Sequence, residues 1–314
     1  MFSYNHKTYG LEEWERRYNF PDWGFSSVYQ DMENKSLGQV LSVYGHLNFY
    51  FLKRNLFVGV GQGIGFAFNP YDTSKNYNNT AYGSHFLSTT YFKGGFQKEN
   101  LYKGFGVQAG LLIVHYSNGN IKAPNNSTNT FAFHAGINYR PDYDEMPDFI
   151  VKDDSLSRSY AKPVQLTLAV KAGINESDVI GMGPEPFVVL SAYADKRINY
   201  KSSFQAGAEI FFSTFLKELI HYRSIAYPED GLSGDEDYKR IGVFIGHEWR
   251  FNKVAVITNL GYYIYWPYEF ENRIYNRLGL KRNFLDDKWF ASVTVKAHWA
   301  KAEAIEFGVG HRFF

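Results

Sequence analysis

Several residue types and patterns are missing from this chain of 314 residues, and each absence excludes a class of protein. Cysteine is absent, which excludes a disulfide framework and a thiolate metal site. No run of 18 apolar residues occurs, so no transmembrane helix is predicted. Charge of one sign does not dominate: Lys+Arg 33 and Asp+Glu 32 leave a formal net charge of +1. Nucleic acid is therefore not indicated as a partner. Metal-ligand and nucleotide-loop spacings are also missing, and we expect no metal and no cofactor.

Aromatic residues and glycine are abundant instead. The chain has 28 Phe, 25 Tyr, 6 Trp and 28 Gly, and aromatic residues make up 19% of it. Membrane β-barrels place aromatic side chains at both membrane interfaces. The mean hydropathy is only −0.36, as in a soluble protein, but alternating strands of a barrel also give a low mean value. The composition therefore favours a transmembrane β-barrel.

The clearest single strand is residues 104–118, GFGVQAGLLIVHYSN. Alternate side chains of a strand face opposite sides of the sheet. One face of this segment carries mainly apolar residues and the other carries mainly small or polar ones. The apolar face consists of Phe105, Val107, Ala109, Leu111 and Ile113, and it continues into His115 and Ser117. An apolar outer face with a small or polar inner face is typical of a barrel strand in a membrane.

The same alternation recurs along the chain and predicts an all-β fold, a transmembrane antiparallel β-barrel of about 14 strands, with 12 as the alternative. Most of the strands have about 10 residues or more, the length that a tilted strand needs to cross the hydrocarbon. A soluble β-sandwich is the other class considered, but its strands are shorter. The predicted strands are 23–31, 37–51, 56–68, 83–97, 104–117, 128–140, 164–174, 186–197, 201–214, 238–250, 254–266, 273–284, 289–299 and 303–314.

We expect a single barrel domain, 1–314, with 1–22 as an N-terminal periplasmic segment and 141–162 as a polar insert. Short turns belong on the periplasmic side and long loops outside, so 118–127 is predicted to lie outside. The expected location is the bacterial outer membrane. Met1 is followed by FSYNHKTYG, which is not a signal peptide. The expectation is a mature chain with an added Met, or a wrongly assigned gene start.

His115 and Ser117 are candidates for catalysis. Serine is a weak nucleophile until a base removes its proton, and a neutral imidazole is the usual base. Residues i and i+2 of a strand lie on one face, so these two side chains are neighbours. A purely structural role is the alternative, in which both residues are polar side chains at the aqueous rim of the barrel.

The segment His115–Asn125, HYSNGNIKAPN, resembles the catalytic segment of the lipid A 3-O-deacylases, also known as acyloxyacyl hydrolase-like outer-membrane proteins. The resemblance implies that His115 is the general base, that Ser117 attacks an ester of lipid A, and that Asn118 helps to hold the oxyanion. Asn125, from the Pro-Asn pair of the family's loop, is expected to contact the oxyanion or the substrate. Lipid A or lipopolysaccharide is the implied substrate, and outer-membrane lipid surrounds the barrel.

The family's acidic residue lies fourteen positions after the His, and here that position is Asn129. An Asn can orient the imidazole of His115, but it offers no negative charge. A slower enzyme, a different acid or an inactive barrel are the three options. We predict a Ser-His esterase that removes an ester-linked acyl chain from lipid A or a related glycolipid, with a homodimer left open. A structural or pore-forming barrel that retains the motif is the alternative.

Overall fold

The computed structural model describes residues 1–145, 147–151 and 160–313, which form fifteen antiparallel strands and confirm the all-β class. The strands are β1 (Phe2–His6), β2 (Asp22–Asp31), β3 (Gln39–Phe51), β4 (Leu56–Ala67), β5 (Phe86–Tyr102), β6 (Phe105–Ser117), β7 (Thr128–Tyr139), β8 (Gln165–Asn175), β9 (Glu185–Arg197), β10 (Ser202–Ser213), β11 (Arg240–Phe251), β12 (Val254–Tyr265), β13 (Ile274–Phe284), β14 (Trp289–His298) and β15 (Lys301–Phe313). The helices are α1 (Glu13–Arg17), α2 (Thr214–Ala226) and a 3-10 turn, Pro228–Asp230. None of the helices in the described part of the chain is long and apolar enough to cross a membrane.

The strands fall into two compact units. Strands β1–β7 form a seven-stranded sheet in sequence order, and β8–β15 form a closed eight-stranded barrel. The predicted class of an all-β membrane barrel is confirmed, and the strands that close into a barrel are eight, β8–β15, where about 14 were predicted. The cause is that β8 pairs with β9 and β15. Alternation determines which side chains share a face, but it does not determine which strand is the neighbour.

Two of the ranges predicted from the sequence also differ from the observed strands. The segment 1–22 contains strand β1, which pairs with β2 from Phe2↔Ser27 to His6↔Trp23. The strand predicted at 83–97 is observed as β5, which continues to Tyr102. The insert at 141–162 holds no strand among its described residues, and the remainder of it lies outside the described residues.

The seven-stranded sheet is strongly curved. Gln30 on β2 donates a hydrogen bond to Thr130 on β7 at 2.7 Å, although four strands separate β2 and β7 in the sheet. Within the curve, the hydroxyl groups of Tyr44 and Thr89 lie 2.9 Å apart. The concave side is filled by side chains, among them the buried tyrosines at 44, 91 and 116.

The closed barrel has charged residues inside and apolar residues outside. Each of three buried glutamates meets two or more cations in the interior. These groups are Glu209 with Lys171 and Arg277, Glu303 with Arg240 and Lys296, and Glu248 with Lys281, Arg250 and Arg312. The outer face carries side chains that are 47–65% exposed, namely Leu166, Leu168, Val170, Phe204, Ile245, Leu260, Val293, Phe307 and Val309. A soluble β-sandwich would bury its apolar face, so this polarity is that of a membrane barrel.

Gly61 on β4 makes room for a large inward side chain of the curved sheet. A Cβ atom built on Gly61 would lie 2.3 Å from the ring of Tyr91. Gly61→Ala is therefore expected to overpack the interior and to lower the free energy of unfolding by about 1–3 kcal/mol. Urea unfolding in detergent, followed by tryptophan fluorescence, measures the change. Gly45→Ala on β3 is the matched control, because a Cβ there has nothing within 4 Å; an equal loss in both variants would contradict the packing argument.

Candidate active site

His115 and Asn129 face each other across the β6–β7 hairpin. They are direct partners in the register of the two strands, although fourteen residues separate them in the chain. His115 Nδ1 and Asn129 Oδ1 lie 2.9 Å apart, within hydrogen-bond distance. The His115 ring is half-buried and Asn129 is exposed. The register therefore brings the predicted base together with the residue at the acid position.

Ser117 ends the same strand, two residues after His115. It was expected to lie open on the outer face, but it is only 6% exposed. Its hydroxyl donates to Asn125 Oδ1 at 3.1 Å, and the backbone N–H of Asn118 donates to the same oxygen at 2.9 Å. Asn125 thus fixes both the serine hydroxyl and the start of the following loop.

A second loop of the curved sheet supports this arrangement. The backbone N–H of Asn126 donates to the Thr80 carbonyl at 3.1 Å. The hydroxyl groups of Tyr82 and Thr128 lie 2.5 Å apart at the start of β7. Burial raises the pKa of Tyr82 to about 12, so this hydroxyl stays protonated over the physiological range. Sequence reasoning identified 69–82 only as a long loop and missed its contacts with the site residues.

The five residues Gly119–Ala123 belong to the second compact unit. There, Glu176 Oε2 accepts the Ala123 N–H at 2.8 Å, and the Glu176 N–H donates to the Asn120 carbonyl at 2.9 Å. The other carboxylate oxygen of Glu176 accepts the Gly183 N–H at 2.8 Å. Glu176 is 3% exposed. No motif in the sequence pointed to this carboxylate.

An apolar strip lies beside His115 and Asn129 on the outer face of β6 and β7. Ile113 and Leu111 precede His115 on its face, and Phe131 and Phe133 follow Asn129 on the same side of the hairpin. Phe131 is 75% exposed and Phe133 is 91% exposed. Such a surface suits the acyl chains of a lipid that approaches from the membrane.

The geometry determines what the imidazole can do. An amide oxygen can only accept a hydrogen bond, so the contact with Asn129 places the proton of a neutral His115 on Nδ1. The lone pair is then on Nε2, where it can accept a proton. Asn129 adds no negative charge to support the imidazolium. Within 1–145, 147–151 and 160–313, no group of three His, Asp or Glu residues could hold a metal ion.

The fold is that of an outer-membrane β-barrel, and the family matches of the sequence make it an ester hydrolase. Residues 1–138 match the family "Lipid A 3-O-deacylase (PagL)", and residues 164–314 match "Acyloxyacyl hydrolase, C-terminal domain". The chain belongs to the lipid A 3-O-deacylase family. The resemblance seen at 115–125 is therefore confirmed at the level of the family.

Solved structures give only a distant likeness. A triple mutant of the Rhodopseudomonas blastica porin is 10% identical, with 93% of this chain and 98% of that chain covered, at a TM-score of 0.22. A second mutant of the same porin gives the same identity and coverage at a TM-score of 0.20. Likeness at these TM-scores carries no argument about this chain. No curated protein matches the sequence.

Proposed function

We propose that this protein removes one ester-linked acyl chain from lipid A, with Ser117 as nucleophile and His115 as general base. The single observation that carries the proposal is the 2.9 Å contact between His115 Nδ1 and Asn129 Oδ1, with Ser117 two residues further along the same face. A base needs a partner that fixes its tautomer and orientation. Asn129 supplies that partner without supplying a charge.

The first half of the reaction transfers the acyl group to Ser117. The hydroxyl turns from Asn125 towards His115, whose Nε2 takes the proton as Oγ attacks the ester carbonyl carbon. The tetrahedral intermediate collapses when the bond between that carbon and the sugar oxygen breaks. The imidazolium of His115 gives its proton to the departing sugar oxygen, and Ser117 remains acylated.

The second half of the reaction returns the enzyme to its starting state. His115 Nε2 takes a proton from a water molecule while the water oxygen attacks the acyl carbon. The bond from that carbon to Ser117 Oγ breaks, and the proton goes back to Oγ. The products are a lipid A with one free hydroxyl and one free fatty acid. The proton moves only between these groups, so the scheme needs no cofactor.

Asn118 and Asn125 have different tasks in this proposal. The side-chain amide of Asn118 donates to the oxyanion that forms on the carbonyl oxygen, as the family resemblance implies. Asn125 holds the Asn118 backbone and the resting Ser117 hydroxyl through one oxygen. Asn125 is thus a positioning residue, and the apolar strip beside the site receives the acyl chain.

The direct test is mass spectrometry of purified lipid A before and after incubation with the purified protein. The expected product has lost the mass of one ester-linked acyl group, with the amide-linked groups retained. Free fatty acid should appear in equal amount. If lipid A is unchanged although the protein in the assay is folded, the alternative of a structural or pore-forming barrel is favoured.

Asn125→Ala is expected to lower kcat by about 10- to 100-fold. The reason is that a shift of the nucleophile by about 1 Å lowers the rate on the order of 10²-fold. KM should change little, since the apolar strip is untouched. Initial rates of fatty-acid release over a range of lipid A concentrations separate the two constants. Asn126→Ala is the matched control: Asn126 contacts Thr80 through its backbone N–H, which the substitution retains. Equal kcat in Asn125→Ala and wild type would contradict the positioning role.

A further inference from the structure

A cavity of about 380 Å³ lies at the end of the closed barrel where the long connections meet. It is formed by helix α2, by the connection that follows β8 and by the connection that follows β12. Binding sites for small ligands usually have volumes of about 300–1,000 Å³. Long connections of an outer-membrane barrel lie on the extracellular side. The cavity therefore has the size of a ligand site and faces the outside of the cell.

One wall of the cavity is aromatic. Tyr222, Tyr227, Tyr268 and Phe270 line it. Tyr222 is 37% exposed and Tyr227 is 47% exposed, so both rings present surface to solvent. Helix α2 is also anchored in an apolar cluster, and two members of that cluster, Leu219 and Tyr268, line the cavity as well. The buried members of this cluster are Phe215, Leu216, Leu219, Ile220 and Tyr268.

The other wall is polar, and its charges are mostly negative. Asp178, Glu269 and Glu271 line the cavity, with Arg223 as the cation in the lining. Lys301 on β15 donates to Asp178 at 2.5 Å and also to Glu271. Arg223 is already engaged, because it donates to Asp230 at 2.5 Å and to the Tyr268 hydroxyl at 3.3 Å. The lining thus offers many hydrogen-bond acceptors beside exposed rings.

We propose that this cavity binds a non-phosphorylated sugar unit of the glycolipid substrate, on the extracellular side of the membrane. The C–H groups on one face of a pyranose pack on an aromatic ring, whose face carries partial negative charge. The sugar hydroxyls donate to the carboxylates of the opposite wall. This inference rests on the proposed function, because it takes the sugar from the same glycolipid.

Other ligand classes fit the lining less well. A fully apolar ligand would remove water from the three carboxylates and give them no hydrogen bond in return, which is unfavourable. A phosphate group would meet three carboxylates, and the two nearby cations are already paired with acidic groups: Arg223 with Asp230, and Lys301 with Asp178 and Glu271. A neutral sugar avoids both costs and uses both walls.

The binding test uses the full chain in detergent micelles and a defined soluble probe. The probe is the oligosaccharide left when lipopolysaccharide is stripped of its acyl chains by alkali and of its phosphates by hydrogen fluoride. Isothermal titration calorimetry should give saturable binding to the wild type. Tyr222→Ala and Tyr227→Ala should each weaken binding about 10-fold, since each removes an aromatic face on which the pyranose packs. Ile225→Ala is the matched control on the same helix, because Ile225 is 70% exposed and outside the lining.

An activity measurement distinguishes this inference from the proposed function. With intact lipopolysaccharide as substrate, the two tyrosine variants should raise KM and leave kcat unchanged. With free lipid A, which lacks the outer sugars, their KM should equal that of the wild type. If the probe does not bind, or if both variants bind it as the wild type does, the sugar site is wrong even when the esterase is active. Binding that depends on the tyrosines in a protein without esterase activity would uphold the site and overturn the esterase.

Discussion

Ser117→Ala is expected to lower the rate of lipid A deacylation by at least about 10³-fold. Removal of the nucleophile from a serine hydrolase costs about 10⁶-fold in kcat when a complete triad is present. Here the starting rate is lower, since the acid position holds Asn129, and the measurable loss is correspondingly smaller. Mass spectrometry of the lipid A product over a long incubation measures the residual rate.

The fold should survive this substitution. Ser117 is the last residue of β6, and the change removes its hydrogen bond to Asn125 at 3.1 Å. Such a loss costs about 1 kcal/mol, so the barrel should still run as a folded species on a heat-modifiability gel. Ser88→Ala is the matched control, because Ser88 is the register partner of Ser117 on β5. Equal deacylation by Ser117→Ala and wild type would remove the serine from the mechanism.

The local structure of most strands follows from the sequence, since alternation is a local property. The prediction for 104–117 matches β6 within one residue at its start, and 128–140 matches β7 within one residue at its end. The division into two sheets is not a local property. It depends on β8 pairing with β15, which lies over a hundred residues away. Both strands have an apolar outer face, and so does every other candidate neighbour.

The site was predictable to the extent that it depends on register. The spacing of fourteen residues and the shared face both place Asn129 beside His115, and the hydrogen bond follows from that placement. The contact of Asn125 with Ser117 could not be derived in the same way, because it depends on the path of an irregular loop. The Thr80–Asn126 contact has the same origin. Loop paths are set by many weak contacts and leave no periodic signal in the sequence.

Asn129→Glu is expected to raise the rate of deacylation by about 10²-fold. When an Asp in a catalytic triad is replaced by Asn, the rate falls by about 10⁴-fold, and part of that loss comes from the wrong tautomer of the His. In this protein the Asn129 oxygen already faces His115 Nδ1, so the tautomer is correct. What remains to be gained is the charge that stabilises the imidazolium as Ser117 attacks.

The position suits a carboxylate. Asn129 is the second residue of β7, at the loop end of the strand, and a charge on the outer face of a membrane barrel costs little near the membrane interface. Side chains directly opposite on antiparallel strands have Cβ atoms about 4.5–5.5 Å apart, and a Glu can bend to reach Nδ1. Asn129→Leu removes the hydrogen bond and adds no charge, so its deacylation rate should be lower than that of the wild type. Initial rates of fatty-acid release rank the three proteins.

If the mechanism is right, Asn129→Glu raises the deacylation rate only by acting on the imidazole of His115. In a His115→Gln background, Asn129→Glu should therefore give no increase, because no imidazolium forms for the carboxylate to stabilise. An increase that persists in that background would show that the new charge acts elsewhere, for example on lipid binding at the membrane surface. If Asn129→Glu does not raise the rate even when His115 is present, the charge that supports the imidazolium comes from another residue. Variants of the acidic residues would then identify that residue. The double variant thus decides whether His115 and the residue at 129 act as one unit.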